Sequence, residues 1–319
     1  MDEAGKKKVD AILLLARESF GGRRRRSLIA LLIICVVLVG IGSLGLIYFW
    51  PKGSLPKLVL AAFDQVALPE EEVILAAQLE PIEELPSDQD LSGCALFFQE
   101  LSSGGLLGTV TTSPAGRAAL KARFPASTEI VVRFPGEGER RRGVESNKAR
   151  VFVWPAQSSL VVVDAVSALA DIDATKFETT SNLDIPSRAG AAAVLRTLAA
   201  KRRVVYLAPG TARALSYNKL SAWLERAAVP RDKLPDGPLL VAAGVEPAAN
   251  RFIFAIAANL KNRFRDTVIG ITGSPDHARQ FREAGLKTYF LGESKELADG
   301  VVAASSWKEL TRQLERLRP

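Results

Sequence analysis

The hydrophobic pattern changes character three times along this chain of 319 residues. Residues 27–49 form one uncharged apolar run, and about 20 such residues span a lipid bilayer as a helix. Residues 57–156 carry short apolar runs separated by turn-forming residues, which is typical of β-strands. From residue 158 onward, apolar runs alternate with segments of helical spacing. This alternation predicts an α/β domain built on a doubly wound parallel sheet.

The elements of the last region follow from the same pattern. Continuous apolar runs predict buried parallel strands at residues 160–164, 204–207, 239–242, 267–272, 288–291 and 300–303. Helical spacing predicts helices at residues 187–201, 211–227, 251–264, 276–284 and 307–317. Ligands of such sheets bind beyond the carboxyl ends of the strands. A site is therefore expected around Asp164, Ala208 and Thr272, with a further residue supplied by a helix.

The middle region, residues 57–156, is predicted to be a β-sandwich of about 100 residues. Strands are expected at residues 57–66, 73–79, 95–100, 128–134 and 149–154. Residues 108–118 (GTVTTSPAGRA) resemble the G-x-V-x-T-x-x-x-G-x-A pattern of transthyretin-like and immunoglobulin-like bacterial sandwiches. The basic segment 137–142 is expected to be an exposed hairpin tip, with contact to lipid headgroups as the alternative.

The charges that flank the long apolar run predict its orientation. Four arginines, residues 23–26, stand directly before it, and basic residues stay on the cytoplasmic side of a membrane. We therefore expect a cytoplasmic basic tail (residues 1–26), an uncleaved membrane helix (residues 27–50) and extracytoplasmic domains after it. A cleaved signal peptide is disfavoured because the apolar core is long and Trp50-Pro51-Lys52 is a poor cleavage site.

Composition limits which partners, disulfides and metal sites the chain can have. The net charge of +7 comes largely from the N-terminal tail, and no basic stripe interleaves with aromatic residues, so no nucleic-acid partner is predicted. Cys35 lies in the apolar run and Cys94 in the middle region, so they are not expected to form a disulfide. One histidine, His277, and no cysteine cluster exclude a structural zinc site by ligand count.

Three segments of the last region carry a family resemblance. Tyr206-Leu207 ends the strand predicted at residues 204–207, residues 234–240 read LPDGPLL, and residues 270–283 read GITGSPDHARQFRE. These segments resemble the Y-L-S-A-R, L-P-x-G-P-L-L and G-x-G-N-R-x-x-D-x-x-A-Y-R patterns of haloacid-dehalogenase-type phosphatases, in particular their lipin and LNS2-like branch. The resemblance covers residues 158–319, about half of the chain, and implies a phosphatase-like fold.

The resemblance also assigns residues to roles. Asp164 takes the place of the nucleophile that accepts the phosphoryl group, Lys261 that of the charge-neutralising lysine, and Asp276 that of the acidic residue that binds Mg²⁺ together with Asp164. Thr211 is the candidate to bind phosphoryl oxygens. Four positions depart from the family: Val166 replaces the acid-base aspartate, Ala168 the threonine of the first motif, and Ala208 the serine of the second, while Thr272-Gly273-Ser274 lacks the asparagine of the fourth. Loss of a general acid-base costs on the order of 10²- to 10⁴-fold in rate.

A second register of the first motif stays open. Asp171-Ile172-Asp173-Ala174-Thr175 is a formal D-x-D-x-T, seven residues after Asp164. In this register, Asp171 and Asp173 would be the nucleophile and the acid-base residue. The segment before it is shorter and less β-branched than the run that ends on Asp164.

These observations favour a single-pass membrane protein with a degenerate phosphatase-like domain that binds a protein partner or a phosphorylated lipid. An active Mg²⁺-dependent phosphatase acting on phosphatidate or another phosphate ester is the alternative. A structural role for the β-sandwich is the third hypothesis.

Overall fold

The structure is a computed structural model. It describes residues 57–85, 90–136, 142–211, 213–226, 233–242, 251–264, 266, 268–293 and 297–315. The basic tail and the membrane helix predicted at residues 27–50 lie outside this set, so both stay predictions. Among the described residues, no helix is long and apolar enough to cross a membrane.

The middle region is rich in β-structure, as predicted. Its strands are β1 (Leu58–Ala62), β2 (Gln65–Ala67), β3 (Glu72–Pro81), β4 (Ala95–Glu100), β5 (Leu106–Thr111), β6 (Arg117–Arg123), β7 (Thr128–Gly136) and β8 (Arg142–Val153). They form a sheet ordered β1-β3-β6 and a second sheet ordered β2-β8-β7-β4-β5. The pairs are antiparallel except β2–β8. Apolar side chains of both sheets share one core, which explains why they face each other.

The last region forms a parallel sheet with helices, which confirms the predicted α/β class. Its strands are β9 (Leu160–Asp164), β10 (Arg203–Thr211), β11 (Leu239–Ala242), β12 (Val268–Thr272), β13 (Lys287–Leu291) and β14 (Val302–Ala304). Its helices are α1 (Ala174–Phe177), α2 (Ala191–Ala199), α3 (Ala214–Arg226), α4 (Phe252–Arg263), α5 (Pro275–Glu283) and α6 (Trp307–Glu315).

The order of the strands places a crevice beside β9. The sheet runs β11-β10-β9-β12-β13-β14, and all of its pairs are parallel. Strands β10 and β11 therefore lie on one side of β9, and the next strand in sequence, β12, pairs with β9 on its other side. In sheets of this type, the reversal opens a crevice at the carboxyl ends of the two central strands. Asp164 and Thr272 are the last residues of those strands.

The β-rich region and the parallel sheet share apolar packing. Ala61 and Phe63 belong to a core that contains Val161 and Val163 of β9. Trp154 belongs to the core that contains Leu160 and Val162, the alternate residues of the same strand. Because successive side chains of a strand point to opposite faces, the β-rich region contributes to the packing of both faces of the parallel sheet.

Candidate functional site

Asp164 is the carboxylate at the end of the central strand, and it is completely buried. The five residues of β9 are all buried because the strand lies in the middle of the sheet with apolar cores on both faces. Pairing with β10 continues just past the strand, where Ala165 N donates to Leu207 O at 2.9 Å. The backbone around Asp164 is therefore fixed on that side.

Both carboxylate oxygens of Asp164 accept hydrogen bonds from the protein. Oδ1 accepts from the backbone N–H groups of Val166 at 3.2 Å and Ser167 at 3.1 Å. Oδ2 accepts from Ser167 Oγ at 2.5 Å and from Thr272 Oγ1 at 3.0 Å. His277 Nδ1 lies 2.6 Å from the same oxygen. Five groups thus surround one carboxylate.

The partners come from separate parts of the chain and also bind one another. Ser167 Oγ lies 2.9 Å from Thr272 Oγ1 and accepts from Gly273 N at 2.9 Å. Gly273 has no room for a side chain, because a Cβ there would overlap the backbone oxygen of Ser167. His277 stands in the first turn of α5, where Ser274 caps the helix by accepting from His277 N at 3.4 Å. The cluster therefore ties β9, β12 and α5 together.

The electrostatics of the cluster keep Asp164 ionised. Burial is the largest single effect and by itself would raise the pKa of Asp164. The hydrogen bond and charge of His277, together with the bonds from Ser167, outweigh it and hold the pKa below its ordinary value. An ionised carboxylate only accepts hydrogen bonds, so the proton of the short contact is on His277 Nδ1.

The two aspartates of the alternative register lie beyond the strand end. Asp171 is exposed, and its backbone N–H donates to Pro186 O at 2.8 Å. Asp173 is also exposed and caps α1, where it accepts from Thr175 N at 2.8 Å and Thr175 Oγ1 at 2.7 Å. These bonds to Thr175 lower the pKa of Asp173. The carboxylate at the end of β9 is that of Asp164, and the chemical roles of Asp171 and Asp173 stay predictions.

The other candidate residues are not among the partners of Asp164. Lys261 lies in the last turn of α4 and makes no hydrogen bond or ion pair within the described part of the chain. Asp276 is in the first turn of α5, with its side chain 76% exposed and 3.0 Å from Arg279 Nη2. Thr211 ends β10, and its side chain lies outside the described residues. The functions assigned to these three residues stay predictions.

The surroundings of Asp164 do not suit Mg²⁺. Magnesium needs several oxygen ligands with free lone pairs, whereas the groups that face Asp164 are N–H and O–H donors directed at its oxygens. Within the described ranges, no three His, Cys, Asp or Glu side chains cluster closely enough to hold a metal ion.

Sequence reasoning did not find His277 or Ser167 as site residues. As the single histidine of the chain, His277 entered the sequence-based predictions only as a zinc ligand, and the ligand count excluded that role. A usable signal was present, because Ser274-Pro275 after a predicted strand marks a helix start, and residue 277 then lies in the first turn beside the strand end. Ser167 carries no such signal, because its role depends on the turn that follows β9.

Comparisons with known proteins give weak structural likenesses. No model of a known family matches the chain, and no curated protein matches its sequence. Similar solved structures include an L-2-haloacid dehalogenase, with 22% identity over 41% of this chain and 57% of that chain and a TM-score of 0.30. Fibronectin(III)-like modules of CbhA from Clostridium thermocellum match with 16% identity over 32% of this chain and 48% of that chain, at a TM-score of 0.23. Domain D1 of Duf (Kirre) matches with 14% identity over 31% of this chain and 98% of that chain, at 0.23.

The matched part of this chain spans only about half the length of the first two structures. At such identities and TM-scores, the likenesses carry no argument about function. The α/β class rests instead on the parallel pairing and strand order of the sheet.

Proposed function

We propose that the α/β region is a degenerate phosphatase-like domain of the haloacid-dehalogenase type, lipin/LNS2-like branch, that binds a ligand without turning it over. In this proposal, the β-rich region is an immunoglobulin-like or transthyretin-like sandwich, and one N-terminal helix anchors the chain in a membrane with its N-terminus in the cytoplasm. The observation that carries the proposal is the state of Asp164. Its carboxylate is fully buried, and both of its oxygens already accept hydrogen bonds from the protein.

A carboxylate nucleophile needs a free oxygen about 3–3.5 Å from the atom that it attacks. Oδ1 of Asp164 accepts from two backbone N–H groups, and Ser167, Thr272 and His277 all approach Oδ2. Attack would first require at least one of these bonds to break and a substrate to reach a buried atom. The arrangement favours a structural role for Asp164.

The position of the general acid adds a second, independent obstacle. Val166 is 4% exposed and packs in the apolar core of the sheet. A valine side chain neither donates nor accepts a proton, and its surroundings are apolar. The described group beside Asp164 that could protonate a leaving group is His277, and its Nδ1 proton is already held by Asp164 Oδ2 at 2.6 Å.

Positive charge at the crevice favours a phosphorylated lipid as the ligand. Arg188 is half-buried, and its Nη2 lies 3.5 Å from the position that a Cβ on Gly273 would occupy. Its Nε donates to Ala170 O at 3.1 Å, and Arg188 makes no other side-chain hydrogen bond to the residues that the structure describes, so the rest of its guanidinium can bind an anion. His277 is 18% exposed at the same end of the sheet. A predicted membrane anchor would hold such a crevice close to lipid headgroups.

The first test measures phosphate release by the full chain, purified in a mild detergent, with Mg²⁺ and either an aryl phosphate or phosphatidate. The Asp164→Asn and Asp171→Asn variants serve as paired controls. We expect no release by the wild-type protein above the level of the two variants. Release that disappears in one variant would instead establish a phosphatase and identify its nucleophile.

The second test measures flotation of the full chain with vesicles of phosphatidylcholine, with or without phosphatidate, after extraction from its own membrane. We expect phosphatidate to increase binding and Arg188→Ala to remove that increase. Equal binding to both vesicles would turn the search to a protein partner. Protease protection in intact cells tests the orientation, since the extracytoplasmic domains should be cut from outside.

A further inference from the structure

A second candidate site lies at the seam between the β-rich region and the α/β region. A cavity of about 300 Å³ opens there, beside the segment that leads into β11. It is lined by Arg150, Tyr206, Ser221, Leu224, Glu225, Lys233, Leu234, Pro235, Asp236, Gly237 and Leu239. None of these residues belongs to the Asp164 cluster, and β11 is separated from β9 by β10. This seam cavity is therefore a separate place in the molecule.

The cavity lies where small-molecule sites are commonly found. Pockets occur preferentially between domains, and they combine apolar walls with a few convergent polar groups. Here Arg150 comes from β8 of the β-rich region, while Ser221, Leu224 and Glu225 come from α3. Tyr206 comes from β10, and the remaining lining residues are Lys233 and members of the LPDGPLL segment that follows it, whose role the proposed function leaves unexplained.

Hydrogen bonds hold the wall of the cavity in a fixed shape. Arg150 reaches Asp236 Oδ1 at 2.5 Å, Gly237 O at 3.0 Å and Asp64 Oδ2 at 3.3 Å. Asp64 is buried and also accepts from Leu239 N at 3.0 Å. A wall that is ordered before a ligand arrives lowers the entropy cost of binding.

The LPDGPLL segment, which also lines the cavity, is held against β10. Tyr206 Oη donates to Pro235 O at 2.7 Å. Gly237 packs so closely on β10 that a Cβ there would overlap the backbone oxygen of Val204. The LPDGPLL segment thus follows one path across the seam, and its glycine is required by that path.

The charges around the cavity define what it can bind. The Arg150 guanidinium is already paired with two carboxylates. Lys233 and Glu225 are exposed, and neither side chain makes a hydrogen bond or ion pair in the part of the chain that the structure describes. The cavity lining thus combines the positive charge of Lys233 and the negative charge of Glu225 with three apolar side chains. These apolar residues are Leu224, Leu234 and Leu239.

We propose that the seam cavity binds a small zwitterion with an apolar side chain, a free hydrophobic amino acid. Its carboxylate pairs with Lys233, its ammonium group with Glu225, and its side chain covers the leucines. The volume of about 300 Å³ is at the lower end of the roughly 300–1,000 Å³ found for ligand pockets, which suits a small ligand. The pairing of both charges distinguishes this ligand from a simple anion or cation.

Calorimetric titration of the detergent-purified full chain with L-leucine, L-phenylalanine and L-valine tests the proposal. We expect saturable binding of at least one of them. Lys233→Ala and Glu225→Ala should each weaken that binding by about tenfold or more, because each removes a charge-assisted contact. Lys308→Ala, which removes an exposed lysine outside the cavity, should leave it unchanged.

Analogues of the probe separate the two charge contacts. Leucinamide lacks the carboxylate, so it should bind the wild-type protein more weakly and should no longer be affected by Lys233→Ala. Leucine binding is measured without Mg²⁺ and without phosphatidate, so its failure is distinguishable from a failure of the proposed function. The absence of saturable binding for all three amino acids would overturn the proposal, as would binding that both cavity variants leave unchanged.

Discussion

Replacement of Asp164 by asparagine should destabilise the protein, because the carboxylate holds its neighbours together. Asparagine keeps the oxygen that accepts from the N–H groups of Val166 and Ser167. It replaces the other oxygen by an NH₂ group, which faces Thr272 Oγ1 and His277 Nδ1. Hydroxyl groups can turn to accept, but the charge-assisted bond to His277 is lost. An unsatisfied buried group costs about 1–3 kcal/mol, and more where the lost bond was made by a charged group, so the expected loss is about 2–4 kcal/mol.

Urea unfolding of the full chain in detergent, followed by tryptophan fluorescence, measures this loss. Trp307 is a local reporter because its Nε1 donates to Ala168 O in the turn after Asp164. Asp276→Asn is the matched control. Its carboxylate is 76% exposed, so a change within about 0.5 kcal/mol is expected. If Asp164→Asn left the free energy of unfolding unchanged or raised it, the structural role would be refuted. Such a gain is typical of residues kept for activity at a cost in stability.

Three further predictions concern the Asp164 cluster and the contacts of Arg150 and Gly237 beside the seam cavity. His277→Ala should shift the acid unfolding midpoint to higher pH, because it removes a group that lowers the pKa of Asp164. The stability that comes from this lowered pKa is lost as pH falls through it. Circular dichroism against pH measures the shift. Arg150→Met should destabilise the protein by about 2–3 kcal/mol at pH 8, because the Asp64 carboxylate then lacks its positive partner. The loss should be smaller near pH 4, because burial raises the pKa of Asp64 and its negative charge appears only as pH rises. Urea unfolding at both pH values measures the difference. Gly237→Ala should cost about 1–3 kcal/mol in the same assay, because its Cβ meets a backbone oxygen of β10.

Local sequence signals predicted the strands of the parallel sheet well. Residues 160–164 and 239–242 were predicted as strands, and β9 and β11 have those bounds. Buried parallel strands are apolar on both faces, so their pattern is continuous and their ends are sharp. The β-rich region was less predictable. The run at residues 57–66 is two strands, interrupted where Phe63 and Asp64 turn into the interior.

Helix ends depended on contacts that the local sequence does not contain. The helix predicted from residue 211 begins at Ala214, whose backbone N–H donates to Glu80 Oε2 at 2.7 Å. Glu80 belongs to β3 and also pairs with Arg213 at 2.7 Å. This cap comes from a strand 134 residues earlier in the chain. No pattern near residue 211 could have indicated it.

In the candidate site too, residues placed by local sequence were predictable and residues placed by distant contacts were not. Asp164 was predicted because its position depends on one local feature, the end of an apolar strand. His277 was not, because it reaches Asp164 across 113 residues of sequence. The resemblance led toward Lys261 and Asp276 and away from the hydroxyl groups that bond to the carboxylate. A motif comparison finds the positions that a family uses, but it does not find the partners that the fold of a given chain brings to those positions.

The two buried aspartates show how this chain uses charge in its interior. Asp164 is surrounded by donors that lower its pKa, whereas burial dominates at Asp64 and raises the pKa there despite Arg150. In both places the carboxylate joins segments that are distant in sequence. At Asp164 these are β9, β12 and α5, and at Asp64 they are the β-rich region and the α/β region. A reactive carboxylate needs an oxygen that is free to leave its partners. At Asp164 such freedom would weaken the junction, so the same hydrogen bonds that stabilise the crevice argue against chemistry by this residue.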